Sequence, residues 1–175
     1  LLCLGEMGIG NTTAAAAITA SVTGAAPDLV TGLGTGITES QRTRKAEIIG
    51  KALALNRPDP RDPLDVLAKV GGFEIGGLAG VMLACGARRV PVLVDGFISG
   101  AAALVACGLA PALKEHLIAA HRSAEAGHAV LLTHLGLTPL LTLGMRLGEG
   151  TGAALGMTLA DAACKVLNEM ATFES

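Results

Sequence analysis

The 175-residue sequence contains no tryptophan, no tyrosine and only three phenylalanines. Aromatic rings are the platforms on which single-stranded nucleic acids stack, and an aromatic content of 2% leaves few to arrange. A positive excess is missing too, since 13 Lys and Arg stand against 15 Asp and Glu, for a net charge of −2. Without a basic footprint, a nucleic-acid function is not expected. The four cysteines, Cys3, Cys85, Cys107 and Cys164, form no C-x-x-C pair and each sits in an apolar run. They read as buried free thiols of a reducing cytosol. No basic segment precedes the apolar start, the first charged residue being Glu6, so no secretory leader is expected. The chain opens on Leu1, directly in what reads as a strand, and looks like a piece of a longer polypeptide.

Metal-ligand spacing is also absent. His116, His121, His128 and His134 make no H-x-x-x-H pair, and His116 and His121 read as lying along one strand with the wrong parity to share a face, so no metal site is expected. The single membrane-like stretch is the uncharged run from Gly96 to Leu113. It is interrupted by Gly100, Gly108 and Pro111 and follows the strand-like Val90 to Val94. A loop and a buried small-residue helix explain it better than a span.

What the sequence does hold is apolar bulk and glycine. Hydrophobic residues make up 51% and charged residues 16%, which excludes intrinsic disorder. The 24 glycines are about double the ~7% of average usage and follow no G-X-Y period. Apolar runs at Leu1 to Leu4, Val90 to Val94, Leu117 to Ala120 and Leu140 to Leu143 read as strands. Helices are expected at Thr13 to Val22, Glu39 to Leu55, Leu64 to Val70, Ile75 to Cys85, within Ile98 to Leu109, at Ala124 to Leu135 and at about Ala153 to Met170. Continuous apolar strands alternating with helices predict one α/β domain, an open and mainly parallel sheet with helices on both faces. In such sheets ligands bind beyond the carboxyl ends of the strands.

Most residue types with chemistry to offer fall in those loops. Gly5-Glu-Met-Gly-Ile-Gly-Asn-Thr-Thr13 is neither a P-loop nor a dinucleotide fingerprint. Its glycines, Gly8 and Gly10 among them, can still bring backbone N–H groups to an anion at the following helix. Glu6 within it suits a ribose hydroxyl or a polar ligand atom. Glu149, between Gly148 and Gly150, is a candidate general base if partly buried, or else an acid favoured by a helix N-terminus. Lys45, in Arg42-Thr-Arg-Lys45, reads by itself as part of a solvated helix face. Asp95-Gly96 and His121 to Ser123 complete the loop set.

With these segments in order, the chain resembles the nicotinate-nucleotide:dimethylbenzimidazole phosphoribosyltransferase family over essentially its whole length, as the C-terminal half of that family's chain. The resemblance is carried by Gly5 to Thr13, Gly32-Leu-Gly-Thr-Gly36, Lys45, Val94-Asp-Gly96, His121-Arg-Ser-Ala-Glu-Ala-Gly-His128 and Met145-Arg-Leu-Gly-Glu-Gly-Thr-Gly152. It implies a Rossmann-like domain in a cytoplasmic homodimer, with no cofactor and no metal. The activity it implies is transfer of 5-phosphoribosyl from nicotinate mononucleotide to a benzimidazole base, in assembly of the cobalamin lower loop. Glu149 would be the catalytic base, Gly8 and Lys45 phosphate contacts, and Glu6 a contact at the ribose or base end. Gly10, Asp95, Gly96, Ser123 and Ala124 are the further substrate-binding candidates, and Ala124 stands where a glycine-like residue is expected. The last helix, about 153–170, would belong to a small helical bundle completed by a segment outside this chain. The alternative is a phosphate-binding module of the same fold without turnover.

Overall fold

A computed structural model of the chain describes residues 1–173. Strand β1 (Leu2–Leu4) is followed by helices α1 (Thr12–Thr23), α2 (Pro27–Val30), α3 (Glu39–Asn56), α4 (Pro63–Val70) and α5 (Phe73–Ala87). Strand β2 (Val92–Val94), helix α6 (Phe97–Leu109), a 3-10 turn at Pro111–His116, strand β3 (Leu117–Ala119), α7 (Ala126–Leu135) and α8 (Thr151–Glu169) complete the order. The three strands form one parallel sheet in the order β1-β2-β3, with Leu2 opposite Val92 and Val92 opposite Leu117.

Alternation along the central strand separates the two faces. Val92 and Val94 join the large core with Leu4, α1, α6 and α7, while Leu93 joins Ala120 and Ala153 on the other face, beneath α8. Helices therefore cover both faces, as the apolar runs predict. The uncharged stretch after Asp95 resolves into α6, in which every residue from Phe97 to Ala106 is buried. Its side chains are small, so neighbouring helices approach closely, and each larger one, such as Leu104 or Val105, contributes ~1.5–3 kcal/mol by burial. No helix among the described residues is long and apolar enough to cross a membrane.

Local chemistry sets the boundaries. Helix α3 starts on a reciprocal Thr38–Gln41 capping box, α4 starts with Asp62 accepting from the Leu64 and Asp65 N–H groups, and α1 stops at left-handed Gly24.

Several expectations need correction. Leu140 to Leu143 forms no strand; it contributes one parallel bridge, His121 to Leu141, at the sheet edge. Helix α7 starts at Ala126 rather than Ala124, because residues 121–125 turn across the top of the sheet. His116 ends the 3-10 turn and His121 lies past β3, so no single strand carries both. The cysteines are free, but only Cys3, Cys85 and Cys107 are partly buried; Cys164 is exposed on the outer half of α8. Burial pushes the Cys107 thiol up to about 11, which makes it unreactive.

Candidate functional site

The loops after β1, β2 and β3 and the loop before α8 meet above the sheet around an open cleft of about 430 Å³. Glu6 and Gly8 come from the first loop with Thr12 at the start of α1, Asp95 and Gly96 from the second with Ser99 in the first turn of α6, His121, Ser123 and Glu125 from the third, and Arg146, Leu147 and Gly148 from the fourth. Gly34 and Thr35 close the remaining side.

Glu6 is held rather than loose. Its Oε2 accepts from the Gly8 N–H and from Asn11 Nδ2, the latter at 2.9 Å. Asn11 stands at the N-cap of α1 yet makes no capping bond with its side chain: its Nδ2 donates to Glu6 and, more weakly, to Glu74, while its Oδ1 is buried without a partner among the described residues. No side chain therefore caps the first turn of α1, whose Thr12 lines the cleft. Lys45 reaches this rim from α3, with Nζ 2.6 Å from Thr12 Oγ1. Burial lowers the Lys45 pKa, and the Glu125 charge only partly opposes that. The residue is half-buried rather than part of a fully solvated face.

The loop before α8 is the strained part of the site. Gly148, Glu149 and Gly150 all lie in the left-handed region, with φ of 78°, 60° and 78°. A left-handed non-glycine residue costs ~1–2 kcal/mol, and such outliers persist where the surroundings over-determine them. Here the Glu149 N–H donates to the Glu6 carbonyl at 2.8 Å. A Cβ on Gly5 would run into the backbone of Gly150, so only glycine lets the two loops meet. Glu149 itself is exposed next to Gly148 and is not one of the residues lining the cleft, and the partial burial expected for it does not occur in this chain.

Asp95 ends β2 and is 1% exposed. Its Oδ1 accepts from the Ala153 N–H at 3.0 Å and its Oδ2 from the Gly150 N–H at 3.2 Å. Burial disfavours its charge, but the His121 ring at 3.5 Å and those two donors outweigh it and hold the carboxyl below its ordinary value. Ser123 is buried, donating its N–H to His128 Nδ1 at 2.8 Å. Burial first, then neighbouring His121 and Arg122, push His128 down to about 3 against the pull of Asp95, so it stays neutral and can accept that bond.

The structure gathers Glu6, Gly8, Asp95, Gly96 and Ser123 on one cleft, with Lys45 reaching its wall through Thr12. Gly10 is exposed outside it. Ala124 opens instead onto an adjoining groove with Asp28, Thr31 and Arg42, joined to the cleft through Glu125 and Arg146. Thr12, Glu125 and Arg146 were not singled out from sequence, although each lies within or beside a segment that carries the family resemblance. Glu125 Oε2 and both His121 ring nitrogens are buried at the cleft without hydrogen-bond partners among the described residues. No group of three or more His, Cys, Asp or Glu side chains among those residues could hold a metal ion.

This arrangement has close counterparts. The sequence is 65% identical over 173 residues to the nicotinate-nucleotide–dimethylbenzimidazole phosphoribosyltransferase of Roseiflexus sp. (strain RS-1), covering 99% of this chain and 49% of that protein. It is 63% identical over 170 residues to the protein of the same name from Desulforudis audaxviator, covering 97% of this chain and 48% of that one. The crystal structure of CobT from Thermus thermophilus superposes with a TM-score of 0.91 at 49% identity, over 97% of this chain and 50% of that chain. The chain thus spans about half the length of the curated relatives it matches. The sequence model of the phosphoribosyltransferase family matches residues 1–175, and the chain belongs to that family.

Proposed function

We propose that the protein containing this chain transfers the 5-phosphoribosyl group of nicotinate mononucleotide to 5,6-dimethylbenzimidazole, releasing nicotinate and α-ribazole 5′-phosphate. The observation that carries this reading is the left-handed Glu149, fastened by its N–H to the carbonyl of the cleft-lining Glu6. A binding module without turnover has no use for a strained carboxylate there.

In the reaction, one azole nitrogen attacks C1′ while the C1′–pyridinium bond breaks. The bonding pair returns to the ring nitrogen and neutralises it, so nicotinate departs without taking up a proton. The azole's N–H proton passes to Glu149. Attack opposite the leaving group inverts C1′ and gives the α product. Gly8 and Lys45 hold the phosphate, Glu6 the ribose or base end, and Ser123 with its neighbour Ala124 adds nucleotide contacts. Gly96 lines the cleft and offers its backbone there, whereas Gly10 stands in open space outside it and Asp95 has its oxygens on the start of α8. Contacts remote from C1′ orient the reactants and lower the barrier there.

The same reading covers assembly. Helix α8 packs Gly152, Ala153 and Gly156 onto the sheet, but residues 161–170 are exposed on every side, with Leu167 85% and Met170 68% exposed. An apolar surface of that kind calls for a cover. The outer part of α8 belongs to a small helical bundle completed by the rest of the polypeptide, in a cytoplasmic homodimer. The test is incubation of the intact protein with both substrates, followed by chromatography. Equal amounts of nicotinate and α-ribazole 5′-phosphate are expected; mononucleotide binding without products would favour the module lacking turnover.

A further inference from the structure

Helix α8 lacks an ordinary N-cap. Position 150 is glycine, and no side chain of the helix's own sequence caps its first turn. The cap comes instead from Asp95, 55 residues earlier at the end of β2, whose two carboxylate oxygens take the N–H groups of Gly150 and Ala153. His121, itself 2% exposed, stands 3.5 Å from the same carboxylate. Contact is close on both sides: a Cβ on Gly152 would strike the His121 ring and come within 2.7 Å of Asp95 Oδ1. The helix start is therefore clamped directly after the strained residue, since Glu149 immediately precedes Gly150. The second fastening is the Glu149 N–H on the Glu6 carbonyl.

We infer that Asp95 is a positioning residue for Glu149: it contributes to turnover by fixing the left-handed Gly148–Gly150 loop through the first turn of α8, not by contact with substrate. Both of its oxygens are occupied by backbone donors and the residue is almost wholly buried. Both bonds run to the first turn of α8, so the carboxylate's orientation is set by that helix even where Asp95 borders the cleft. Electrostatics agree, because a buried anion at a helix N-terminus is favoured by the helix dipole. The inference rests on the reading of Glu149 as the base.

The experiment is a double-mutant cycle in the intact protein, with kcat and KM measured for the transfer reaction. Asp95→Asn keeps the shape but sets an amide NH2 against one of the two backbone donors. Alone it is expected to lower kcat roughly 10²-fold, the scale of an ångström-sized misplacement, with the KM for nicotinate mononucleotide nearly unchanged. In a Glu149→Gln background the same change should cost less than about threefold, because groups acting as one unit are not additive. An equal loss in both backgrounds, a loss confined to KM, or no loss at all would overturn the role. If Glu149→Gln alone leaves turnover intact, the base assignment fails instead, and the two failures stay distinct. Gly152→Ala asks the same question with the carboxylate intact, by pushing the helix start off Asp95, and should show the same loss and the same dependence on Glu149. Failure of both variants to fold would make Asp95 a folding residue and overturn the inference.

Discussion

The two glutamates whose main chains meet beside the cleft each sit in a glycine-rich loop, and the fold treats them oppositely. Glu6 keeps an ordinary backbone, and its carboxylate is tied by the Gly8 N–H and Asn11. Glu149 is tied by its backbone, to Glu6 and through Gly150 to Asp95, while the residue is exposed. A carboxylate fixed by two donors is suited to hold something in place. One whose main chain is strained while its oxygens stay unbound keeps them available to a substrate proton, although it lacks the burial that would make it more basic. Glycine on either side of an acid thus says little until the direction of the constraint is known.

The largest effect should come from removing the proton acceptor. Glu149→Gln preserves size and most hydrogen bonding, and kcat for transfer should fall by the ~10²–10⁴ of a lost general base. Next is Lys45→Ala, which removes a half-buried ammonium from the cradle wall. A charge-assisted bond of ~1.5–3 kcal/mol corresponds to roughly 10- to 100-fold weaker binding of nicotinate mononucleotide. Azole binding should hardly change, and calorimetry on both ligands checks the pair.

A third test concerns what keeps the β3 loop in place. His128 binds its proton only near pH 3 when folded, whereas the unfolded chain takes it up near ~6.5. The unfolded state therefore holds more protons below that value, and stability falls as the pH drops from about 6.5 toward 3. At pH 5 the loss from this group is roughly 2 kcal/mol. His128→Asn, whose Oδ1 can still accept from the Ser123 N–H, should flatten that part of the melting temperature profile. Asp95 works in the same direction lower down, its depressed value giving stability that is lost only as the carboxyl protonates. The smallest effect sharpens the contrast between the glutamates most: Glu149→Gly relieves the left-handed strain and should stabilise the protein by about 1 kcal/mol while abolishing turnover. Glu6→Gly has no such strain to relieve, and chemical denaturation of the two variants should move in opposite directions.

Sequence reading finds the elements whose signal is local. Apolar runs mark all three strands, and the interrupted run after Asp95 separates α6 from a membrane span. Short elements escape it. Helix α2 is four residues long behind Pro27, and the 3-10 turn at Pro111–His116 lies in what looks like a connection. Leu140 to Leu143 has a strand's composition but only one bridge to pair with, because the described sheet ends at β3. At the site, the loop motifs mark the right regions, while the job of each side chain depends on partners far away in sequence. Asp95 reads as a loop acid until Gly150 and Ala153 arrive from the other end of the chain. Nothing local shows that the Asn11 amide will serve Glu6. Glu125 gives no signal apart from its neighbours, though its charge falls beside Lys45 once α3 and α7 are in place.

The central claim is that the two glutamates divide the work, Glu6 holding and Glu149 accepting the proton. Its most direct measurement is steady-state transfer by the intact protein in parallel Glu149→Gln and Glu6→Gln variants. The account predicts a kcat at least about 10²-fold lower with a nearly unchanged KM for Glu149→Gln, and a raised mononucleotide KM with the larger share of kcat retained for Glu6→Gln. Wild-type turnover in Glu149→Gln, with the collapse of kcat appearing in Glu6→Gln, would contradict it and move the base to Glu6.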